Sequence, residues 1–194
     1  MNKFETLSHE ILDTSARVVD VLARKKCMLG ISESVTGGTI ASFLTRIDGC
    51  SKVLFASQVL YSTLGKSSFC NIPLKDIEAV GTVSEAIIGE MMMSMAKRFF
   101  KVIGETNEGS IALPDHFISL ATSGVAGASI EGLPRGTVII GISRYRVAGY
   151  EQGTIDAVHR AIKTYHLAGD RIQVMLDAVK EGLILVENEC LLIG

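Results

Sequence analysis

The sequence lacks the cysteine spacing of a metal or redox motif. Its four cysteines stand at positions 27, 50, 70 and 190, and no two of them form a CxxC pair. Cys27 and Cys70 lie in or beside apolar runs, where reduced cysteine packs well. This pattern indicates a reducing environment, and we expect a cytoplasmic location.

An excess of charge of one sign and any long apolar run are also missing. The chain has 19 Lys and Arg against 21 Asp and Glu, which gives a formal net charge of -2. The basic residues form no stripe, which argues against binding to nucleic acid or to an acidic membrane surface. Because the sequence has no apolar span of about twenty residues and no signal segment, we expect no membrane partner. A small polar substrate is compatible with this composition.

Apolar residues are abundant and follow regular periods. They make up 47% of the 194 residues, which suits one domain over residues 1–194 with a substantial core. Helical spacing predicts long helices over 4–26, 84–100 and 170–186 and a shorter one after residue 38. Runs of β-formers predict strands over 27–32, 53–61, 117–122 and 137–145. The alternation predicts an α/β fold, a three-layer α/β/α sandwich with a mostly parallel or mixed sheet, to which residues 139–164 can add an antiparallel edge pair.

The helix predicted over 84–100 is flanked by two local signals. Thr82 and Glu85 have the spacing of a capping box at its start. After its end, residues 104–115 combine turn formers with acidic residues, which is typical of an exposed excursion.

Three loops that follow predicted strands are candidate binding loops. In an open α/β sheet, ligands collect outside the carboxyl ends of the strands, where loops enter helices. The three loops have the sequences SVTGG at 34–38, YSTLGK at 61–66 and TSGVAG at 122–127.

The first loop has two readings. Ser34 and Thr36 can simply cap the next helix, since their hydroxyls can accept from its free amides. Gly37 and Gly38, however, are poor choices for a first helical turn and are typical of backbone that approaches an anion or adopts a positive φ. Glu33 either orients this loop or is solvated.

The second loop contains Tyr61 and Lys66. Taken singly they indicate a strand-end aromatic and a solvated lysine. Together with a serine they can replace a Ser-His-Asp triad, because a desolvated lysine loses its proton near neutral pH and a tyrosine hydroxyl can relay that proton. The four histidines lack metal-ligand spacing and do not compete for this role.

Seven short motifs occur in a fixed order along the chain. They are ESVTGG at 33–38, GCS at 49–51, YSTLGK at 61–66, GTVSE at 81–85, SGVAG at 123–127, PRGTV at 134–138 and GDR at 169–171. In this order they resemble the carboxy-terminal domain of the CinA competence/damage-associated proteins. That domain also occurs alone as the nicotinamide-nucleotide amidohydrolase, or NMN deamidase.

The resemblance implies an activity and a set of site residues. The implied reaction is hydrolysis of the carboxamide of nicotinamide mononucleotide to the acid and ammonia, without a metal or other cofactor, by a homodimer. Lys66 would be the base and Tyr61 the proton relay, with Ser34 or Ser51 as the nucleophile. Residues of the first and third loops would bind the substrate, namely Thr36, Gly37, Gly38, Ser123, Gly124 and Gly127.

Strand direction ranks the two serines. Ser34 follows one predicted strand and Tyr61 ends the next, so a right-handed βαβ unit places both at the same sheet edge. Ser51 precedes the second strand, whose six or so residues span roughly 20 Å. Ser34 is therefore ranked slightly ahead, and Ser51 requires either a segment that folds back or a second subunit.

Departures from the family pattern leave two other functions open. Ala128 stands where the third loop of the family has proline, and this loop is shortened before Pro134. A catalytically silent nucleotide-binding module is the first alternative to the amidohydrolase. A purely structural or assembly role is the second.

Overall fold

The computed structural model describes residues 3–105, 112–147 and 155–194. Half of the predicted excursion at 104–115, residues 106–111, therefore lies outside the described residues. The elements in chain order are α1 (Lys3–Arg24), β1 (Cys27–Glu33), α2 (Thr39–Leu44), a short 3₁₀ turn (Cys50–Lys52), β2 (Leu54–Val59), α3 (Thr63–Cys70), α4 (Leu74–Val80), α5 (Glu85–Glu105), β3 (His116–Gly124), β4 (Thr137–Arg146), β5 (Ala157–His166) and α6 (Arg171–Leu191).

The five strands form one mixed sheet in the order β2-β1-β3-β4-β5. β1 pairs in parallel with β2 and with β3, whereas β4 pairs antiparallel with β3 and with β5. The predicted α/β fold is confirmed, with a sheet of the mixed kind and the antiparallel pair at one edge. Because β1 and β3 are parallel neighbours, their carboxyl ends and the loops that follow them meet at the same edge of the sheet.

Helices cover both faces of the sheet, which gives the three layers. α1, α2 and α6 pack on one face, where Ile11, Leu22 and Val186 are fully buried or nearly so. α3, α4 and α5 pack on the other face, where the methionines of α5 join the core as their helical spacing predicts. In the described part of the chain, no helix is long and apolar enough to cross a membrane.

Two short helices, α3 and α4, were not predicted. Each buries only one side chain, Lys66 in α3 and Ile77 in α4, so neither shows an apolar period in the sequence. Their ends depend on caps instead: Ser62 Oγ accepts from the N–H of Gly65 at 3.0 Å at the start of α3. These helices lead the chain from β2 to α5.

The predicted capping box of Thr82 and Glu85 at the start of α5 is wrong. Ser84, not Thr82, caps this helix, since Ser84 Oγ accepts from the N–H of Ile87 at 3.4 Å. Thr82 N–H instead donates to the Glu131 carboxylate at 2.9 and 3.1 Å. Thr82 is thereby free of the helix and faces the loops at the sheet edge.

Candidate active site

A cavity of about 560 Å³ opens at the carboxyl ends of β1 and β3. Parts of all three predicted loops line it, together with residues 82–83, the segment 128–131 and Arg171 from the start of α6. From the predicted site it contains Ser34, Tyr61, Lys66, Ser123, Gly124 and Gly127. The candidate site is therefore a junction between the two parallel strands and the helices that follow them.

Buried hydroxyls join the first loop to the third. Thr122 Oγ1 accepts from the N–H of Ser34 at 3.4 Å and is 2.9 Å from Thr36 Oγ1. All three residues are buried, and Ser34 keeps 6% of its surface exposed, toward the cavity. The end of β3 thus holds Ser34 in place through Thr122, a residue that had no assigned role in the sequence.

Lys66 is the titratable group at the bottom of the site. Only 2% of the residue is exposed. Its Nζ donates to Thr82 O at 2.8 Å, to Thr82 Oγ1 at 3.3 Å and to Ser123 Oγ at 3.0 Å. Burial lowers the pKa of Lys66 to about 8, against the opposing effects of the Glu131 carboxylate and the Cys70 thiol. A substantial fraction of Lys66 is therefore neutral at mildly alkaline pH, with a lone pair that can accept a proton.

Tyr61 lies at the mouth of the cavity, beside Arg171. Its side chain is largely exposed, and its hydroxyl accepts from Arg171 Nη1 at 3.1 Å. Among the described residues, the hydrogen bonds of Lys66 Nζ go to Thr82 and Ser123 and not to Tyr61. The relay between Lys66 and Tyr61 that the sequence predicts has no hydrogen bond in this arrangement.

Arg171 is held at the mouth by the start of α6. The preceding residue, Asp170, caps this helix by accepting from the N–H of Gln173 at 2.9 Å. The guanidinium lies so close to Gly127 that a Cβ there would be 2.4 Å from Arg171 Nη2. Gly127 thus makes room for a positive charge above the cavity, which is a structural reason for glycine at this position of the third loop.

The glycine pair of the first loop does not form the anion cradle that one of the two readings of this loop implied. Both Gly37 and Gly38 have positive φ, at 60° and 91°, so the expectation about their backbone holds. Their N–H groups, however, already donate within the loop, from Gly37 to Ser34 O at 3.1 Å and from Gly38 to Glu33 Oε2 at 3.0 Å. Like Thr36, whose side chain bonds Thr122, they lie outside the cavity lining.

Glu33 occupies the amide groups that an anion would need. Its buried carboxylate accepts from the N–H groups of Gly38, Ile40 and Ala41 at 3.0 to 3.1 Å and from Ser57 Oγ at 3.1 Å. A carboxylate at the start of a helix satisfies free N–H groups and complements the helix dipole. Of the two readings of Glu33, the structure thus supports the one in which it orients the first loop.

Replacing Glu33 by glutamine is expected to destabilise the protein by about 3 kcal/mol, because the new amide nitrogen faces N–H donors that lose their acceptor. In a chain of this length that corresponds to a decrease in melting temperature of roughly 6 to 12 °C, measured by circular dichroism. The matched control is Glu187→Gln, which removes the exposed ion pair with Arg17 and should cost less than about 1 kcal/mol. Equal melting curves for the two variants would contradict this account of Glu33.

Ser51 lies away from the cavity. It is exposed on the 3₁₀ turn before β2, beside a separate depression that Asp48, Cys50 and Leu54 also line. Tyr61 follows the other end of the six-residue β2. Within one chain the structure therefore brings Ser34, and not Ser51, to the same cavity as Lys66, as strand direction led us to expect.

Four residues that contribute to the site were not individually predicted as site residues: Thr82, Thr122, Glu131 and Arg171. Arg171 lies in the motif GDR and Thr82 in the motif GTVSE, and membership of these motifs was the sequence signal that could have identified them as site residues. Glu131 lies on the shortened third loop, where nothing in the sequence indicates that its side chain reaches Thr82.

Comparison with known proteins gives one family. The model of the CinA C-terminal domain matches residues 12–190. The CinA-like protein of Desulfosudis oleivorans is 34% identical over 134 residues, which is 68% of this chain and 29% of that protein. The CinA-like protein of Desulforapulum autotrophicum is 32% identical over 139 residues, which is 71% of this chain and 29% of that protein. The chain thus spans less than a third of the length of these two relatives.

Solved structures share the fold over nearly the whole chain. A competence-damaged protein (CinA) superfamily protein from Escherichia coli superimposes with a TM-score of 0.72 at 23% identity, covering 99% of this chain and 94% of that one. The competence damage-inducible protein A from Klebsiella pneumoniae gives a TM-score of 0.73 at 22% identity, covering 95% of this chain and 99% of that one. At this level of identity the likeness shows the fold.

Proposed function

Because the chain belongs to the family of CinA C-terminal domains, we propose that it is an amidohydrolase that converts nicotinamide mononucleotide to nicotinate mononucleotide and ammonia. The proposed substrate is inferred from the sequence motifs that this chain shares with NMN deamidase. One observation carries the reaction type: a buried lysine whose Nζ lies 3.0 Å from a serine hydroxyl inside a cavity. The cytoplasmic location and the homodimer stay predictions.

Lys66 has the properties of a general base. A general base works best when its pKa lies near the working pH, and it must contact the group whose proton it takes. Burial of Lys66 lowers its pKa to about 8, and Ser123 Oγ is in contact with its Nζ. A Ser-Lys pair of this kind can replace Ser-His-Asp in hydrolysis of an amide.

Ser34 fits the nucleophile better than Ser123 does. Both serines line the cavity, but Ser123 has no exposed surface, whereas Ser34 is partly exposed. A nucleophile must reach the carbonyl carbon, while a proton relay only has to contact its neighbours. Because Ser123 contacts Lys66 Nζ and lines the same cavity as Ser34, we assign to it the relay of the Ser34 proton, in place of the relay that the sequence predicted for Tyr61.

The proposed reaction has two steps. In the first, Ser34 Oγ forms a bond to the carboxamide carbon while its proton passes through Ser123 to Lys66. The tetrahedral intermediate then breaks its C–N bond, and ammonia leaves with the proton from Lys66, which gives an acyl-enzyme on Ser34. In the second step a water molecule loses a proton to Lys66 and attacks the ester, so that the acid is released and Ser34 regains its proton.

The third loop is the proposed source of the donors for the negative charges of the substrate and intermediate. Within the described part of the chain, the N–H groups of residues 126–129 have no backbone acceptor, and these residues line the cavity. Such amides can stabilise the oxyanion. The guanidinium of Arg171 at the mouth is suited to bind the phosphate.

A nucleotide-binding module without turnover is the second candidate. The contact between Tyr61 and Arg171 favours it, because it engages the hydroxyl that the family motif would use near the lysine. In that case the cavity would bind a pyridine nucleotide and leave its carboxamide intact.

Ammonia release from nicotinamide mononucleotide by the purified protein tests the proposal. We expect one ammonia per molecule of nicotinate mononucleotide formed, together with a higher melting temperature in the presence of the substrate. A melting temperature raised by the substrate without ammonia release would select the silent module. Neither effect, at substrate concentrations up to the millimolar range typical of KM values, would refute both and favour a structural role.

A further inference from the structure

We propose that Glu131 is a positioning residue for the base: through Thr82 it fixes the place and orientation of the Lys66 amine beside Ser123. This inference rests on the proposed function, because it assigns Lys66 as the base. It concerns a residue of the shortened third loop that none of the family motifs contains.

The contact between Glu131 and Thr82 uses both carboxylate oxygens. The N–H of Thr82 lies 3.1 Å from Glu131 Oε1 and 2.9 Å from Oε2. The preceding residue, Gly81, has a φ of 82°, and a Cβ there would lie 2.7 Å from Glu131 Oε2. Gly81 thus leaves the space that the carboxylate occupies.

The backbone at Glu131 is strained in a way that points to a role for its side chain. Residues 130 and 133 exchange two backbone hydrogen bonds, of 3.1 and 2.8 Å, around a tight two-residue turn. Both central residues have positive φ, 54° at Glu131 and 78° at Gly132. Such a turn prefers asparagine, aspartate or glycine, so glutamate at the first position has a conformational cost. A glutamate that adopts this conformation at such a cost is a reason to look for a function of its side chain.

Thr82 transmits the effect of Glu131 to Lys66. Its N–H binds Glu131, while its carbonyl oxygen and its Oγ1 both accept from Lys66 Nζ, at 2.8 and 3.3 Å. These two acceptors direct the third N–H of the ammonium to Ser123 Oγ at 3.0 Å. When Lys66 is neutral, that direction is the one available to its lone pair. A shift of Thr82 therefore changes how well Lys66 is aligned with Ser123.

The charge of Glu131 also acts on Lys66 directly. The charged and titratable groups that face Lys66 are Glu131 across the cavity and Cys70 one turn along α3, with Tyr61 and Arg171 at the mouth. The carboxylate favours the ammonium form and so raises the pKa of Lys66, in opposition to burial. Removing this charge should move the titration of Lys66 to lower pH.

The first test measures Lys66 without any need for turnover. Protein labelled with [ε-¹³C]lysine is titrated by NMR, and Lys66→Arg identifies the resonance of Lys66. In the parent this resonance is expected to titrate near pH 8, and in Glu131→Gln at lower pH. The matched control is Glu85→Gln, which removes an exposed carboxylate from the start of α5 and should leave the titration unchanged.

The second test measures turnover of nicotinamide mononucleotide. Glu131→Gly suits the positive φ and relieves the strain of the turn, so a purely structural role predicts unchanged or higher stability with full activity. Positioning predicts instead a decrease in kcat of about 10- to 100-fold with a smaller change in KM. It also predicts that the acid limb of the pH profile of Glu131→Gln moves to lower pH.

The two tests separate failure of this inference from failure of the proposed function. A Lys66 resonance that titrates at the same pH in the parent and in Glu131→Gln would overturn the inference, whether or not the protein has turnover. A kcat of Glu131→Gly within twofold of the parent would also overturn it. A parent protein without turnover but with a shifted Lys66 titration in Glu131→Gln would support the action of Glu131 on Lys66 and refute the amidohydrolase.

Discussion

Replacing Lys66 by methionine is expected to lower kcat for ammonia release by about 10⁴-fold, the upper end of what a positioned general base contributes. Methionine has nearly the volume of the lysine side chain, so it fills the space between Thr82 and Ser123 without the amine. The melting temperature should therefore stay close to that of the parent, and KM should change little. The measurement is kcat and KM from ammonia release.

Two further measurements test whether Lys66 acts as a base. Lys66→Arg keeps a positive charge that cannot be removed near neutral pH, so it should be as inactive as Lys66→Met. In the parent, turnover should fall as pH decreases through about 8, because the pKa of Lys66 is lowered to that value and only the neutral amine can accept a proton. Full activity of Lys66→Arg, or a rate that is equal on both sides of pH 8, would contradict a basic role for Lys66.

Replacing Ser34 by alanine is expected to abolish turnover to a similar extent, about 10⁴-fold or more, because no acyl-enzyme can form without the nucleophile. Ser123→Ala should retain more activity than Ser34→Ala, since a water molecule can take the place of a lost relay hydroxyl. Ser51→Ala is the matched control: this serine is exposed on the 3₁₀ turn, outside the cavity, and its loss should leave kcat unchanged.

Mass spectrometry of enzyme quenched during turnover shows which serine carries the acyl group, independently of the turnover rates of the variants. With substrate present, an acyl adduct should appear on the peptide that contains Ser34 and should be absent from Ser34→Ala. If Ser51→Ala is inactive and the parent carries the adduct on the peptide that contains Ser51, the reaction is assigned to that serine, which a partner subunit would then have to bring to the cavity. An adduct on Ser123 would make Ser123 the nucleophile and leave the relay to Ser34.

The fold was predictable where burial gives a period. α5 and the central strands bury continuous or regularly spaced apolar residues, and the sequence pattern located each of them within a few residues of its ends. α3 and α4 were missed because their burial is limited to Lys66 and Ile77, and a single buried side chain gives no period. The misplaced cap of α5 has a different cause, because a tertiary contact of Thr82 with Glu131 competes with local capping.

The site was predictable where local chemistry and strand direction agree. The positions of Ser34 and Lys66 in one cavity follow from parallel strands and from the loops after them. The roles of Gly37 and Gly38 did not follow, because a glycine-rich loop before a helix has the same local sequence whether its amides face an external anion or the buried Glu33. Contacts between distant loops, such as Glu131 with Thr82, depend on tertiary structure that no local pattern encodes.

The carboxylate of Glu33 has a consequence for how this fold can diversify. In many α/β proteins the amides at a helix start bind the phosphate of the ligand, and selectivity is then built into the main chain. Here the chain satisfies the amides at the start of α2 itself, so in the proposed site the phosphate is left to a side chain, Arg171 at the start of α6. A side chain can be changed by a single substitution while the backbone stays in place. We therefore expect that the ligand specificity of this fold can change through single substitutions without loss of the fold.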